Sequence, residues 1–321
     1  MLKKLLFSTA LFWLVGSGLG AQGHEPAPAH PDAPAKAAQP KPGPATILMP
    51  HLTDSKHFEY PCFKSLEEWA CGYTLPTWPV HIGGRTFDMG PTKHVIWLLI
   101  SATVVAVALI GAARAHARQT EQTGHPRGFA AVIESTLLYL RDDIYMPVLG
   151  HGGEKYVPYC LTLFFFILVC NAFGLVPWAS TATGNLGVTA TLASITFVMV
   201  EVAGMRALGK GYINTIVYWP HDMSLAIKLP LTIVMTPIEL ISKFTKPFAL
   251  TIRLFANMIA GHVIILSLIG LIFLFGFWVV IPSLAMALFI SGLEMLVVLI
   301  QAFIFSLLAA VFIGQIRTAH H

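Results

Sequence analysis

The residues of this sequence that could do chemistry lie within its last long apolar stretches, where charged groups are costly. Arg253 and His262 both fall inside the apolar run that follows Lys246 and ends at Ile281. An arginine at bilayer depth costs roughly 2.5–3.5 kcal/mol on insertion scales, so it indicates a functional site. The alternative is that Arg253 lies near a helix end and its head group reaches the interface. Lys246 precedes it by seven residues, roughly 10 Å along a helix, so this alternative is strained.

The last two apolar stretches together carry a set of polar residues: Glu239, Arg253, Asn257, His262, Glu294 and Gln301. If the stretches form an antiparallel hairpin, residues at equal depth have nearly the same sum of residue numbers. The pairs that meet this condition are His262 with Glu294, Arg253 with Gln301, and Glu239 with Gln315. They centre the hairpin just before Pro282, where a turn is expected on other grounds. The sequence therefore predicts polar pairs at matched depths.

A histidine and a glutamate at one depth can pass a proton between them, so His262 and Glu294 predict a proton relay. The alternative is a neutral hydrogen-bonded pair that only clamps two helices. Arg253 cannot lose its proton, but it can keep a nearby carboxylate ionised. Because its predicted neighbour Gln301 is a neutral amide, we expect the counter-ion of Arg253 to come from another subunit. Nine residues turn a helix by about 900°, so we expect Arg253 to face that partner and His262 a wet path.

The composition is that of an integral membrane protein. Of the 321 residues, 55% are hydrophobic and 11% are charged, whereas soluble domains have about 25% charged residues. A net charge of +4 without a basic cluster does not indicate a nucleic-acid partner. The run from Gly204 to Gly211 nearly matches a phosphate-binding loop, but glycine replaces its Ser or Thr, so nucleotide binding is rejected. No haem or zinc spacing is present, and no cofactor is expected.

The fold class is predicted to be an all-α integral membrane protein with five mature transmembrane helices. The predicted spans are 94–113, 157–177, 188–205, 246–281 and 283–313. The last two are predicted to form a long tilted hairpin. Residues 128–147 alternate apolar and charged positions with a helical period, which predicts a helix on the cytoplasmic surface. Every short loop expected inside carries Lys or Arg and the short outer loops carry none, so the carboxyl end is predicted to be cytoplasmic.

The first 92 residues are predicted to lie outside the membrane domain. Residues 1–21 begin with lysines, continue with an apolar core and end with small residues, which predicts a signal peptide. An uncleaved signal anchor is the alternative, and both place the following residues outside the cytoplasm. Residues 22–92 are predicted to be an extracytoplasmic Pro/Ala/His-rich extension with a small cap, and residues 93–321 the polytopic membrane domain. A disulfide between Cys62 and Cys71 is left open.

The residues around the arginine resemble a known family. The run Ile252-Arg253-Leu254-Phe255-Ala256-Asn257-Met258-Ile259-Ala260-Gly261-His262, followed by Gln301-Ala302-Phe303-Ile304-Phe305, closely resembles subunit a of the F-type ATP synthase membrane sector. With Glu239 and Lys246-Pro247, the resemblance covers about residues 94–317. The positions elsewhere that also fit the family pattern are Glu134 and Asp142 in the surface helix, and Asn171 and Pro177 in the second span.

This resemblance implies a non-catalytic proton-channel stator subunit of a bacterial rotary ATP synthase. It implies two offset half-channels that lead protons to and from a ring of c subunits, and partners that include this ring, b-type stator subunits, the soluble ATPase head and the lipid bilayer. It also implies the bacterial inner membrane as the location, with an extracytoplasmic amino end.

The resemblance also implies a role for each polar residue of the set. Arg253 would separate the half-channels and keep the passing ring carboxylate deprotonated. His262 and Glu294 would serve the outer half-channel, and in some members the acid and the histidine are exchanged. The remaining implied roles are polar lining or support of Arg253 for Asn171, Asn257 and Gln301, and a place near the cytoplasmic exit for Glu239.

One departure concerns the outer entrance. Some members carry acidic residues just after the position of Asn171, where this sequence has Gly174 and Ala179. An entrance that depends on Asn185 and nearby Ser and Thr groups is therefore left open. A buried arginine is also compatible with two other classes of protein, a secondary transporter that binds an anionic solute and a structural scaffold. The sequence has no internal repeat or matched pair of broken helices to favour a transporter, and a scaffold would give Arg253 no purpose.

Overall fold

A computed structural model describes residues 56–61, 70–82, 85–88, 90–123, 128–176, 179, 181–217 and 225–318. The predicted signal peptide and most of the predicted extension lie outside these described residues. The α-helices within them are α1 (Lys93–Thr123), α2 (Phe129–Leu138), α3 (Met146–Leu149), α4 (Val157–Gly174), α5 (Leu186–Leu208), α6 (Leu225–Phe275) and α7 (Val280–Thr318). The strands are β1 (His57–Pro61), β2 (Ala70–Thr74), β3 (Pro79–Ile82) and β4 (Arg85–Asp88).

Helices α1, α4, α5, α6 and α7 are each long and apolar enough to cross a membrane. This confirms the predicted fold class and the predicted number of spans. The main error is the start of the fourth span, because α6 begins at Leu225 and not at Lys246. Pro230, Pro237 and Pro247 all lie inside α6. Each removes a backbone donor, but a chain in lipid keeps its remaining backbone bonds internal, which favours a continued helix.

Helix α4 forms the centre of the bundle, and α7 packs against it as well as against α5 and α6. Cys160, Leu161 and Ile167 of α4 are fully buried. The thiols of Cys160 and Cys170 are free and buried, as their apolar surroundings predict. A Cβ atom at Gly314 of α7 would overlap the carbonyl of Val148, so glycine allows the close approach of these two segments.

The predicted surface helix is divided into three parts. Helix α2 continues as a π-helical turn, Tyr139–Tyr145, which leads into the short α3. The hydroxyl of Tyr145 donates a 2.7 Å hydrogen bond to Oγ of Ser306 in α7, and burial raises the pKa of Tyr145, which keeps the donor protonated. The guanidinium of Arg317 donates to the carbonyls of Leu149 at 2.8 Å and His151 at 2.9 Å. The end of α7 is therefore attached to the surface segment.

The predicted cap consists of two antiparallel hairpins, β1–β2 and β3–β4. Phe58 of β1 stacks on Trp97 of α1 with ring centroids 6.0 Å apart. Trp97 in turn contacts Phe173 near the end of α4 at 5.2 Å. We call these three rings the aromatic column. The open prediction of a Cys62–Cys71 disulfide lies outside the described residues, because Cys62 is not among them.

Candidate functional site

The site is built around His262 of α6 and Glu294 of α7, which face each other inside the hairpin. The distance from His262 Nδ1 to Glu294 Oε1 is 2.8 Å, and only 7% of the Glu294 side chain is exposed. The two atoms are in ion-pair contact without the alignment of a hydrogen bond. Glycine at position 261 makes room for the acid, since a Cβ there would lie 2.7 Å from Oε1. The prediction that these two residues share one depth is confirmed.

The other nitrogen of His262 is held by the end of α4. Its Nε2 lies 2.9 Å from the carbonyl oxygen of Gly174, the last residue of α4. Carbonyls in the last turn of a helix have no partner within the helix, and they carry partial negative charge. A carbonyl oxygen can only accept, so Nε2 carries a hydrogen.

This tautomer determines what lies between His262 and Glu294. With the hydrogen on Nε2, a neutral ring presents a lone pair at Nδ1, and an ionised carboxylate presents another at Oε1. Two acceptors at 2.8 Å repel, whereas one proton bound between them makes the contact attractive. The geometry is therefore suited to hold one proton and to pass it between the two side chains.

Asn257 and Gln301 form a second polar pair between α6 and α7. Nδ2 of Asn257 donates a 2.7 Å hydrogen bond to Oε1 of Gln301, and Gln301 is only 2% exposed. Gln301 therefore bonds to Asn257, which lies one helical turn after Arg253. Leu254 is the buried residue at this point of α6, whereas Arg253 points outward, in the direction expected for a partner subunit.

Arg253 lies on the exposed side of α6. Among the described residues, no side chain forms a hydrogen bond or ion pair with its guanidinium. Its exposed neighbours on the same face are mainly small, namely Ala249, Ala256 and Ala260. The helix therefore offers a charged group on a face that another helix could approach closely.

Asn171 lies in the interior, one helical turn before Gly174. It is fully buried, and its Oδ1 accepts a 2.6 Å hydrogen bond from Oγ1 of Thr183. Oγ1 of Thr183 is 2.8 Å from Oγ1 of Thr181. The side chain of Asn185 caps α5 by accepting from the backbone of Gly187 at 2.8 Å.

Glu239 lies far from the pair, on the wall of a cavity between α5, α6 and α7. The cavity has a volume of about 210 Å³, and Lys243, Lys246 and Gln315 also line it. Glu239 and Gln315 therefore border one space, as their predicted pairing requires. Lys243 lies 3.4 Å from Oε2 of Glu201 in α5. This ion pair was missed, although an acid inside the predicted span 188–205 is itself the signal that could have found it.

The fold and the site define a polytopic helical membrane protein with a buried histidine–glutamate pair in its interior and an exposed arginine on α6. A family model described as ATP synthase A chain matches residues 95–314. The chain belongs to the ATP synthase A chain family.

The sequence is similar to those of its relatives over most of the chain. It is 40% identical over 299 residues to ATP synthase subunit a 2 of Chlorobaculum tepidum, covering 92% of this chain and 79% of the relative. It is 40% identical over 280 residues to ATP synthase subunit a of Anaeromyxobacter dehalogenans, covering 86% and 71%. It is 39% identical over 321 residues to ATP synthase subunit a 2 of Prosthecochloris aestuarii, covering 98% and 93%.

Proposed function

We propose that this chain passes protons through two half-channels to and from the carboxylates of a c-subunit ring, and so couples proton flow to ATP synthesis. The chain itself is non-catalytic. The observation that carries this proposal is the exposed guanidinium of Arg253, on a helix of membrane-spanning length, without an acid of the described residues beside it.

The chemistry of arginine limits what this group can do. A guanidinium keeps its proton, so Arg253 acts as a fixed positive charge and not as a carrier. A carboxylate that comes within about 4 Å is attracted by roughly 4 kcal/mol at an effective dielectric constant of 20. That attraction favours the ionised acid, so a ring carboxylate must lose its proton before it passes Arg253. A proton therefore cannot cross directly from one half-channel to the other.

The outer half-channel is assigned to the His262–Glu294 pair. The pair holds one proton and can place it on either partner, which is what a relay between outer water and a ring carboxylate requires. Asn257 lies between Arg253 and His262 in sequence, and its amide bonds to Gln301 of α7. Their amides line the proposed path with polar groups that do not titrate.

The inner half-channel is assigned to the cavity that Glu239 lines. Polar and charged groups from three helices border it, and Glu239 lies 14 residues before Arg253, roughly 20 Å along α6. That spacing takes the cavity well away from the outer pair, as two offset channels require.

The partners and orientation follow from the same assignment. We infer that the chain works beside the c ring, b-type stator subunits and the soluble ATPase head in a bacterial inner membrane. The Lys and Arg residues of the short loops favour a cytoplasmic carboxyl end. The division into a signal peptide (1–21), an extension (22–92) and a membrane domain (93–321) is part of the proposal.

The test is the substitution Arg253→Ala in the complete synthase, measured in inverted membrane vesicles. ATP-driven proton pumping should be abolished while the soluble head still hydrolyses ATP. Arg206→Ala is the matched control, because Arg206 is also exposed and lies in the last turn of a membrane-spanning helix; it should pump normally. Normal pumping by Arg253→Ala would remove this residue from the mechanism and with it the proposal.

A further inference from the structure

Lys243 lies on the wall of the cavity between α5, α6 and α7, and its side chain is only 11% exposed. Its Nζ lies 3.4 Å from Oε2 of Glu201 in α5 and donates to Oγ1 of Thr215 at 3.2 Å. It also lies 4.8 Å from the centroid of the Tyr212 ring. Tyr212 and Thr215 belong to the short 3-10 helix Gly209–Thr215, which follows α5. All three contacts therefore draw the ammonium group toward the α5 side of the cavity.

Glu239 lies one helical turn before Lys243 and lines the same cavity. Residues four apart on a helix have Cβ atoms about 5–6 Å apart, and a glutamate that precedes a lysine is the favourable order for an ion pair. Among the residues that the structure describes, however, none forms a hydrogen bond or an ion pair with Glu239. The local sequence thus favours a pair that the folded chain does not form.

Within the described part of the chain, the rest of the cavity wall offers Glu239 no other cation at close range. Lys246 is held over the ring of Phe312 in α7, 5.1 Å from its centroid. It lies seven residues after Glu239, roughly 10 Å along α6. The polar side chain that α7 contributes is the uncharged Gln315, and the charged one that α5 contributes is Glu201. The position of the ammonium group one turn away therefore decides whether Glu239 has a cation beside it.

The charge state of Glu239 depends on this arrangement. A cation close to a carboxylate favours its ionised form, by about tenfold or more. A lysine that is already paired with a carboxylate adds little net charge to its surroundings. A carboxyl group that exchanges protons with water must be able to take up a proton as well as to release one. Glu239 meets this condition as long as the ammonium group of Lys243 stays with Glu201.

The contact between α5 and α6 does not depend on this ion pair alone. The ring centroids of Phe197 in α5 and Phe244 in α6 lie 5.8 Å apart. Phe197 lies one turn before Glu201, and Phe244 directly follows Lys243. Aromatic rings at this distance attract each other, whereas a half-buried ion pair adds little stability over apolar residues of the same size. The charge of Glu201 is therefore better explained by its effect on Lys243.

We propose that Glu201 is a positioning residue that holds Lys243 away from Glu239 and so keeps Glu239 able to exchange protons in the inner half-channel. No proton is assigned to Glu201 itself, which acts through Lys243. Thr215 and Tyr212 assist it by adding a hydroxyl acceptor and an aromatic face on the same side of the cavity. The inference rests on the proposed function, in which Glu239 lines the inner half-channel.

The test is Glu201→Gln, which removes the charge at nearly constant volume. Passive proton conduction is measured per assembled complex in inverted vesicles stripped of the soluble head, whose medium contacts the cytoplasmic face. We expect conduction to be about tenfold slower near neutral pH, because the unpaired ammonium group then favours ionised Glu239. The deficit should shrink as the medium is acidified, because a higher proton concentration restores the protonated form.

A second substitution separates positioning from support of the fold. Adding Lys243→Met to Glu201→Gln removes the cation as well, so the double variant should conduct several-fold faster than Glu201→Gln alone. A residue that only joined the two helices would give no such recovery. If Glu201→Gln does not assemble, Glu201→Asp keeps the charge on a shorter side chain. It should show a smaller deficit, with the same dependence on pH and the same recovery by Lys243→Met.

Asp143→Asn is the matched control, because it also removes one negative charge, from an exposed position outside the cavity. It should conduct as the parent does. Three results would overturn the inference: parental conduction by Glu201→Gln at every pH, a double variant no faster than Glu201→Gln, and a deficit that is the same at every pH. The last two would indicate structural damage in place of positioning.

Failure of the proposed function is distinguishable, because it appears in Glu239→Gln. Parental conduction by Glu239→Gln would overturn the assignment of the inner half-channel and this inference with it. Slow conduction by Glu239→Gln beside parental conduction by Glu201→Gln would overturn only this inference.

Discussion

The substitution Gly261→Ala tests the proposed role of the His262–Glu294 pair without removing any titratable group. A Cβ at position 261 would lie 2.7 Å from Oε1 and 2.9 Å from Cδ of Glu294, about 0.7 Å closer than normal contact. The helix itself gains about 1 kcal/mol from alanine in place of glycine. We therefore expect the side chain of Glu294 to move, while the backbone of α6 keeps its position.

The size of the expected effect follows from the distance that must change. A shift of about 0.7 Å directed away from His262 lengthens the ion-pair contact to roughly 3.5 Å, beyond the distance at which a proton passes directly between two atoms. Losing a close polar contact of this kind costs about 1.4 kcal/mol, which corresponds to a tenfold lower rate if it is lost at the rate-limiting step. We therefore expect proton conduction to fall about tenfold in Gly261→Ala, with the amount of assembled complex unchanged.

The assay is passive proton conduction of the membrane sector, followed with a pH-sensitive dye after the soluble head is removed. Gly292→Ala is the control, because Gly292 lies on α7 and a Cβ there meets nothing within 4 Å. It should conduct as the parent does. Equal conduction by Gly261→Ala and Gly292→Ala would refute the argument that the 2.8 Å contact is part of the path.

Two further predictions concern the attachments of the bundle. Tyr145→Phe removes the donor to Ser306 and should lower the free energy of unfolding by about 0.5–1.5 kcal/mol, measured as a lower Tm in detergent; an unchanged Tm would contradict the assigned bond. Lys243→Met leaves Glu201 without its cation in a position that is only 15% exposed. It should lower the Tm more than the double substitution of Lys243→Met with Glu201→Gln does, because an unpaired buried charge destabilises the fold more than an uncharged side chain. Equal Tm values for the single and double variants would show that the ion pair does not stabilise the bundle.

The membrane-spanning helices were predictable because hydropathy depends only on local composition. The five spans and the hairpin of α6 and α7 follow from that signal. The start of α6 was not predicted, because three prolines argue locally against a helix that the surrounding bundle nevertheless keeps continuous. The short strands of the cap were missed too, since their pairing depends on neighbours and not on local periodicity.

Within the site, the contacts along the hairpin were predicted better than the contacts across the bundle. Antiparallel geometry was sufficient to bring His262 to Glu294. It did not identify Asn257 as the partner of Gln301, because equal depth does not determine the direction of each side chain. The carbonyl of Gly174 and the hydroxyl of Thr183 come from other elements of the bundle, and no spacing within the hairpin refers to them. The roles of these residues in proton movement stay predictions.

The aromatic column connects strand β1 of the cap, through α1, with the end of α4. Phe173, its inner ring, directly precedes the glycine whose carbonyl holds His262. A change of Phe58 to a small side chain would therefore remove a packing partner of Trp97, two ring contacts away from the segment that holds His262. It would leave every ionisable group of the site in place.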